Sequence, residues 1–213
     1  MKKYSSITGV ILAGGKSRRM GQDKALLEYE GKPLIQHVAE ALRCVFKKVI
    51  IISDHGKRYK FLGLPVHEDS YKHCGPLGGI HAAFARTKTE KIFVASCDLP
   101  LLSSQTVLNI VTWPLPGDAV VVRCGRSIQP LCGVYSRSSF HVLERHLKRG
   151  QLSVLQFLEN LSTFVVTSQA TATCRGKEVA FNINTPDDYH RLLRNATKKK
   201  DNVRTLKTSK IHN

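Results

Sequence analysis

The sequence predicts an α/β fold: a mostly parallel sheet with helices on both faces. Three observations predict it. Short β-branched runs such as Ile7–Leu12 and Lys48–Ser53 alternate with segments of helical periodicity through the first half. Each of three polar segments follows a strand, at the carboxyl edge where such sheets bind ligands. The chain has 213 residues, 42% hydrophobic and 23% charged, enough for one large domain with its own core.

The elements follow in order. Ile7–Leu12 reads as a buried first strand running into Ala13-Gly14-Gly15. Pro33–Val45 reads as a helix, with Pro33 in its first turn and Leu34, Val38, Ala41, Leu42 and Val45 at helical spacing. Lys48–Ser53 is a second buried strand, Asp54–Leu62 a short helix and Leu64–His67 a third strand. Gly75-Pro76-Leu77-Gly78-Gly79 precedes a helical run, Ile80–Arg86. Ile92–Ser96 is a strand ending at Cys97-Asp98-Leu99-Pro100, and Ser103 is placed to cap the next helix. Strands are expected at Ala119–Arg123, Leu131–Tyr135 and Phe164–Thr167, and helices at Ser138–Lys148, Ser153–Glu159 and Asp187–Arg194. The alternation is Rossmann-like. Residues 1–194 form a single domain in this reading, and 195–213 a basic, disordered tail.

Composition narrows the function. The longest apolar stretches are strand length, short of the ~18 residues that cross a bilayer, so a membrane protein is not expected. Met1-Lys2-Lys3 precedes an apolar run, but glycines and charges interrupt that run, and no signal peptide is expected. Six scattered cysteines have no Cys-x-x-Cys spacing, which argues against zinc and for free thiols in a reducing cytoplasm. The net charge is +17, of which residues 191–213 carry +7. The excess suits a phosphate-rich partner. It also motivates a rival reading as a nucleic-acid-binding protein. Against that stand an aromatic content of only 7% and the lack of a basic stripe interleaved with aromatics.

The glycine segment carries the chemistry. Gly14 and Gly15 let backbone approach a phosphate or base, and Lys16, Arg18, Arg19 and Lys24 place four cations within nine positions. Gly15-Lys16-Ser17 is not the end of a Walker A loop, because residue 10 is Val10 and not glycine. No Gly-x-Gly-x-x-Gly is present either. Asp98, at the end of an apolar strand, reads either as a structural carboxylate before the Ser103 cap or as a magnesium ligand. Asn182 and Asn184 alternate with Phe181 and Ile183, so in an extended segment the amides share a face. The alternative there is a turn with Thr185 capping the last helix. Arg123, Arg126 and Gln129 lie between late strands and are candidates for an anionic substrate.

Leu12-Ala-Gly-Gly-Lys-Ser-Arg-Arg-Met-Gly-Gln-Asp-Lys24 resembles the signature of the molybdenum cofactor guanylyltransferases. Three further segments recur in order: Gly75-Pro76-Leu77-x-Gly79-Ile80, Cys97-Asp98-x-Pro100 and Asn182-Ile183-Asn184-Thr185-Pro186-x-Asp188. The resemblance covers about residues 6–194. It implies a Rossmann-like nucleotidyltransferase fold and transfer of GMP from GTP to the terminal phosphate of molybdopterin or its molybdate-bound form. It implies Leu12, Ala13, Gly14, Gly15, Lys24, Asp69, Gly75, Gly79 and Asp98 at the nucleotide. Arg19, Lys24 and Asp98 are then catalytic, with Mg2+ on Asp98. Asn182, Asn184, Arg123 and Arg126 are expected toward the pterin. Partners would be GTP, molybdopterin and other proteins of cofactor synthesis or molybdoenzyme maturation, with no membrane and no nucleic acid. Related cytidylyltransferases carry Ala-Ala-Gly where this chain has Ala13-Gly14-Gly15, so CTP ranks behind GTP. A catalytically dead scaffold is disfavoured because Arg19, Lys24 and Asp98 are all present.

Overall fold

The computed structural model describes residues 3–14, 23–114, 117–167 and 182–196. Strand β1 (Tyr4–Leu12) lies inside a seven-stranded sheet. Parallel partners flank it: β4 (Phe46–Ile52) on one side and β6 (Lys91–Ser96) on the other. β5 (Val66–His67) extends the sheet beyond β4. Beyond β6 come β8 (Ser127–Ser136), then β7 (Ala119–Cys124) and β9 (Thr163–Thr167), giving the order β5-β4-β1-β6-β8-β7-β9. β8 alone runs against its neighbours, since β7 and β8 form a hairpin while β9 is parallel to β7. The expected mostly parallel α/β sheet is what forms.

The alternation of β1 explains the two cores. Ile7 and Ile11 face helices α1 (Leu34–Val45) and α3 (Ser104–Val111), and share a cluster with Val38, Leu42, Phe93 and Val107. Val10 and Leu12 face the opposite layer of α2 (Gly75–Arg86), α4 (Phe140–Lys148) and α5 (Val154–Glu159), with Ile80, Phe84 and Leu143. Strands buried on both faces read as continuous apolar runs.

Several boundaries differ from the sequence reading. α2 begins at Gly75, five residues before the apolar run, because Pro76 fits a first helical turn and Leu77 is fully buried. A small hairpin, β2 (Glu28–Tyr29) and β3 (Lys32–Pro33), turns through Glu30 and Gly31, both at positive φ. No Asn-Gly or Asp-Gly pair announces it. Ser103 does cap α3, accepting from the Thr106 amide at 3.1 Å. A last helix, α6, spans residues 186–196. Its Leu192 joins Leu27, Tyr29, Leu34 and Ile183 in a third cluster that fastens the C-terminal segment beside the hairpin.

Candidate functional site

The strand order reverses at β1. The chain passes from β1 outward to β4 and β5, then returns to β6 on the far side. Ligands bind outside the carboxyl ends at such a switch point. There Leu12 pairs with Ser96, the Cys97 amide donates to the Leu12 carbonyl at 3.1 Å, and the Ala13 amide donates to Ile52 at 3.0 Å. Leu12 and Ala13 are buried, and Gly14 emerges exposed, with no described residue within 4 Å of where a Cβ would stand. Gly15 and Arg19 lie outside the described residues.

Asp98 follows β6 and is only 4% exposed. The Lys24 ammonium stands 2.5 Å from its Oδ2 and 3.5 Å from Asn184 Oδ1. Three distant segments therefore meet at one cation. The Ile183 amide donates to the Asp98 carbonyl at 3.3 Å, which docks segment 182–184 over the Asp98 turn. Asp98 Oδ1 is buried and has no hydrogen-bond partner among the described residues. A buried carboxylate oxygen is costly to leave unpaired. Asp98 and Asn184, which share the Lys24 ammonium, offer carboxylate and amide oxygens, hard donors of the kind Mg2+ takes, so the residues present fit that ion. No cluster of three or more His, Cys, Asp or Glu suited to a metal occurs among the described residues. Burial pushes the neighbouring Cys97 thiol up to about 12, so it remains protonated and is no nucleophile at neutral pH.

Asp69 stands between β5 and α2, half-buried, with Oδ1 accepting from the Tyr71 amide at 2.8 Å. Desolvation raises its pKa above the ordinary value. The glycine that admits it is Gly78: a Cβ there would sit 2.5 Å from Asp69 Oδ2 and 2.9 Å from the Tyr71 carbonyl. Gly79 instead admits Leu12, whose Cδ2 lies 3.0 Å from its Cβ position. Gly75 is exposed at φ +61°, opening α2. Of the expected glycines, Gly79 is thus explained by packing, and Gly78, not singled out by the sequence, is the one packed against the Asp69 carboxylate.

On the other side, Asn182 Nδ2 donates to Gln129 Oε1 on β8 at 3.0 Å, leaving Asn182 Oδ1 buried without a partner among the described residues. Ile183 is fully buried, which turns the two asparagines away from the third cluster. Thr185 and Asp188 form a reciprocal cap: Thr185 Oγ1 accepts from the Asp188 amide at 3.2 Å and Asp188 Oδ2 from the Thr185 amide at 2.9 Å. The cap that the turn reading expected at Thr185 is therefore present. Arg123 and Arg126 are exposed at the tip of the β7–β8 hairpin, on the same carboxyl edge. A cleft of about 430 Å3 opens beyond β4 and β5, lined by Ser53, Asp54, Arg58, His67 and Glu68 among others. Sequence reasoning did not separate out Ser53, Arg58 or Tyr59. Their types are common, and only the strand ends bring them near the loop that carries Lys24.

The sheet order, the switch-point loops and the lysine–carboxylate pair define a nucleotidyltransferase of the α/β kind. A family model described as the MobA-like NTP transferase domain matches residues 9–163, and the chain belongs to that family. It is 39% identical to a probable molybdenum cofactor guanylyltransferase of Pelotomaculum thermopropionicum, over 85% of this chain and 89% of the relative. Identity to the corresponding protein of Carboxydothermus hydrogenoformans is 34%, over 89% and 96%. Among solved structures, molybdopterin-guanine dinucleotide biosynthesis protein A of Archaeoglobus fulgidus is similar at TM-score 0.77 and 26% identity, over 90% of this chain and 99% of that one.

Proposed function

We propose that the chain transfers GMP from GTP to the terminal phosphate of molybdopterin, forming molybdopterin guanine dinucleotide. A phosphate oxygen of the acceptor attacks the α-phosphorus, the bond to the β-phosphate oxygen breaks, and pyrophosphate leaves. The observation that carries this reading is the meeting of Lys24, Asp98 and Asn184 at the switch point, with one Asp98 oxygen buried and unpartnered. The acceptor phosphate is already ionised at neutral pH, so no general base is required. Catalysis then rests on positioning and on offsetting charge. In this reading Lys24, with Arg19, neutralises the triphosphate. Asp98 and Asn184 are the residues that would hold Mg2+, which when bound polarises the α-phosphate and offsets charge on the departing pyrophosphate.

Leu12, Ala13, Gly14 and Gly15 then lie along the nucleotide, with Asp69 and the start of α2 beside them. Asn182 faces the pterin side, and Arg123 and Arg126 add positive charge there. In this reading residues 1–194 form the catalytic domain, a reading supported by Leu192 packing into the third cluster. Five cysteines are free thiols among the described residues, and no helix among these residues is long and apolar enough to cross a membrane. The free thiols support the reading of a reducing cytoplasm. Calorimetric titration of GTP, CTP and ATP with Mg2+ tests the nucleotide. GTP preference followed by dinucleotide formation from molybdopterin supports the reading. CTP preference would replace the product with the cytosine dinucleotide.

A further inference from the structure

Asp23 immediately precedes the 3-10 turn Lys24–Leu26 and is its N-cap. Its carboxylate collects three donors. The Ala25 amide reaches Oδ1 at 3.1 Å, which fixes the turn that bears Lys24. The Tyr59 hydroxyl reaches Oδ2 at 2.9 Å, and Arg58 Nη1 reaches the same oxygen at 3.2 Å. The two last donors come from the connection between β4 and β5, far away in sequence. They are unequal anchors. Arg58 has a side chain 51% exposed and its pairing is screened by water. Tyr59 is 1% exposed, packed in the same core cluster as Leu62 and Ile51. Burial, and then the Asp23 charge, hold its hydroxyl well above the ordinary tyrosine value, so it donates throughout the neutral range.

We propose that Tyr59 is a positioning residue for the transfer: through Asp23 it fixes the turn that presents Lys24 to the triphosphate. This rests on the reading of Lys24 as a triphosphate ligand. Lysine has a long flexible stem, and its charge is useful to a ligand only if the backbone beneath it is held. The Asp23 cap supplies that hold, and the buried tyrosine keeps the cap in register. Because Arg58 also lines the cleft beyond β4, the same anchor joins the cleft wall to the phosphate side of the site.

A double-mutant cycle on the full chain tests it, reading the GTP dissociation constant with Mg2+ by calorimetry below the melting temperature of each variant. Removing one hydrogen bond to a charged group in Tyr59→Phe is expected to weaken GTP about tenfold. Lys24→Met is expected to weaken GTP at least as much. With Lys24→Met already present, Tyr59→Phe should cost less than about twofold, because the group it positions is gone. Asp23→Asn, which approaches the same link from the other end, should repeat this pattern and serves where Tyr59→Phe does not fold. A merely structural tyrosine would lower stability and give additive losses. Additivity, or a Tyr59→Phe variant that binds GTP as the native chain does, overturns the proposal. If Lys24→Met alone leaves GTP binding unchanged, the reading of Lys24 itself fails, an outcome distinguishable from failure at Tyr59.

Discussion

At the scale of single residues, Asp98 combines burial with an oxygen that no described group satisfies. Such an atom in a native fold calls for a ligand. Asp98→Asn preserves shape and removes the charge. Metal-dependent turnover is expected to fall by roughly a hundredfold or more while circular dichroism stays unchanged. Retained turnover with the native metal dependence would remove Asp98 from the metal site. Gly78 gives a second test. Its Cβ would collide with the Asp69 carboxylate and the Tyr71 carbonyl, so Gly78→Ala must shift one of them. A stability loss of about 1–3 kcal/mol and weaker GTP binding are expected by urea titration and calorimetry. An unchanged affinity would separate Asp69 from the nucleotide. Asp98 by itself read equally as a structural carboxylate, and only the motif segments beside it pointed to a metal role. The importance of Gly78 over Gly79 was not legible in the sequence, because adjacent glycines look alike until the sheet and helix are in place.

At the scale of elements, α2 is held at its C-terminal end. Its last carbonyls are bound by Arg137. The guanidinium donates to Phe84 O at 3.2 Å and Thr87 O at 2.7 Å, and also to Thr89 O, and lies 5.3 Å from the Phe84 ring centre. Helix C-termini leave carbonyls without partners, and one fork here satisfies carbonyls of the final turn and the loop after it. Arg137→Ala should destabilise the protein by about 3 kcal/mol, read from the denaturation midpoint, because buried carbonyls lose their donors. Arg137→Lys should recover little, since a point charge cannot reproduce the fork. The helix itself was legible from Ile80 onward, where apolar spacing repeats. Its first turn was not, because Gly-Pro-Leu-Gly-Gly has poor intrinsic helix propensity, and tertiary burial of Leu77 overrides that.

At the scale of the whole molecule, charge and titration set the solution behaviour. A net charge of +17 should draw the triphosphate at long range, so GTP association should slow as salt rises, more steeply than dissociation changes. Stopped-flow measurement at several ionic strengths checks this. Two histidines link stability to pH. Burial holds His81 below its ordinary value, against the opposing pull of Glu144 and Asp69. Burial, then Arg86 and Lys48, do the same for His67. The unfolded chain therefore binds more protons as pH drops below about 6.5. This part of the stability is present above that value and is lost as pH falls through the lowered folded values. Urea midpoints between about pH 8 and pH 5 should show the loss. His81→Phe, which keeps the stack on Phe140 and the edge-on contact with Tyr71, should flatten the profile.

The sequence by itself determined the α/β class, most of the strands and helices, and the order of the motif segments. Local periodicity and turn chemistry are written in neighbouring residues, and Leu12 to Lys24 carries its signature without a gap. Tertiary structure decided which motifs meet. Lys24, Asp98 and Asn184 are separated by 74 and 160 positions when counted from Lys24, yet one ammonium contacts both oxygens. It also decided that β8 runs antiparallel and that a buried Tyr59 holds Asp23. Such pairings depend on strand order and on burial. Both are collective properties of the packed sheet, and no short window of sequence contains them.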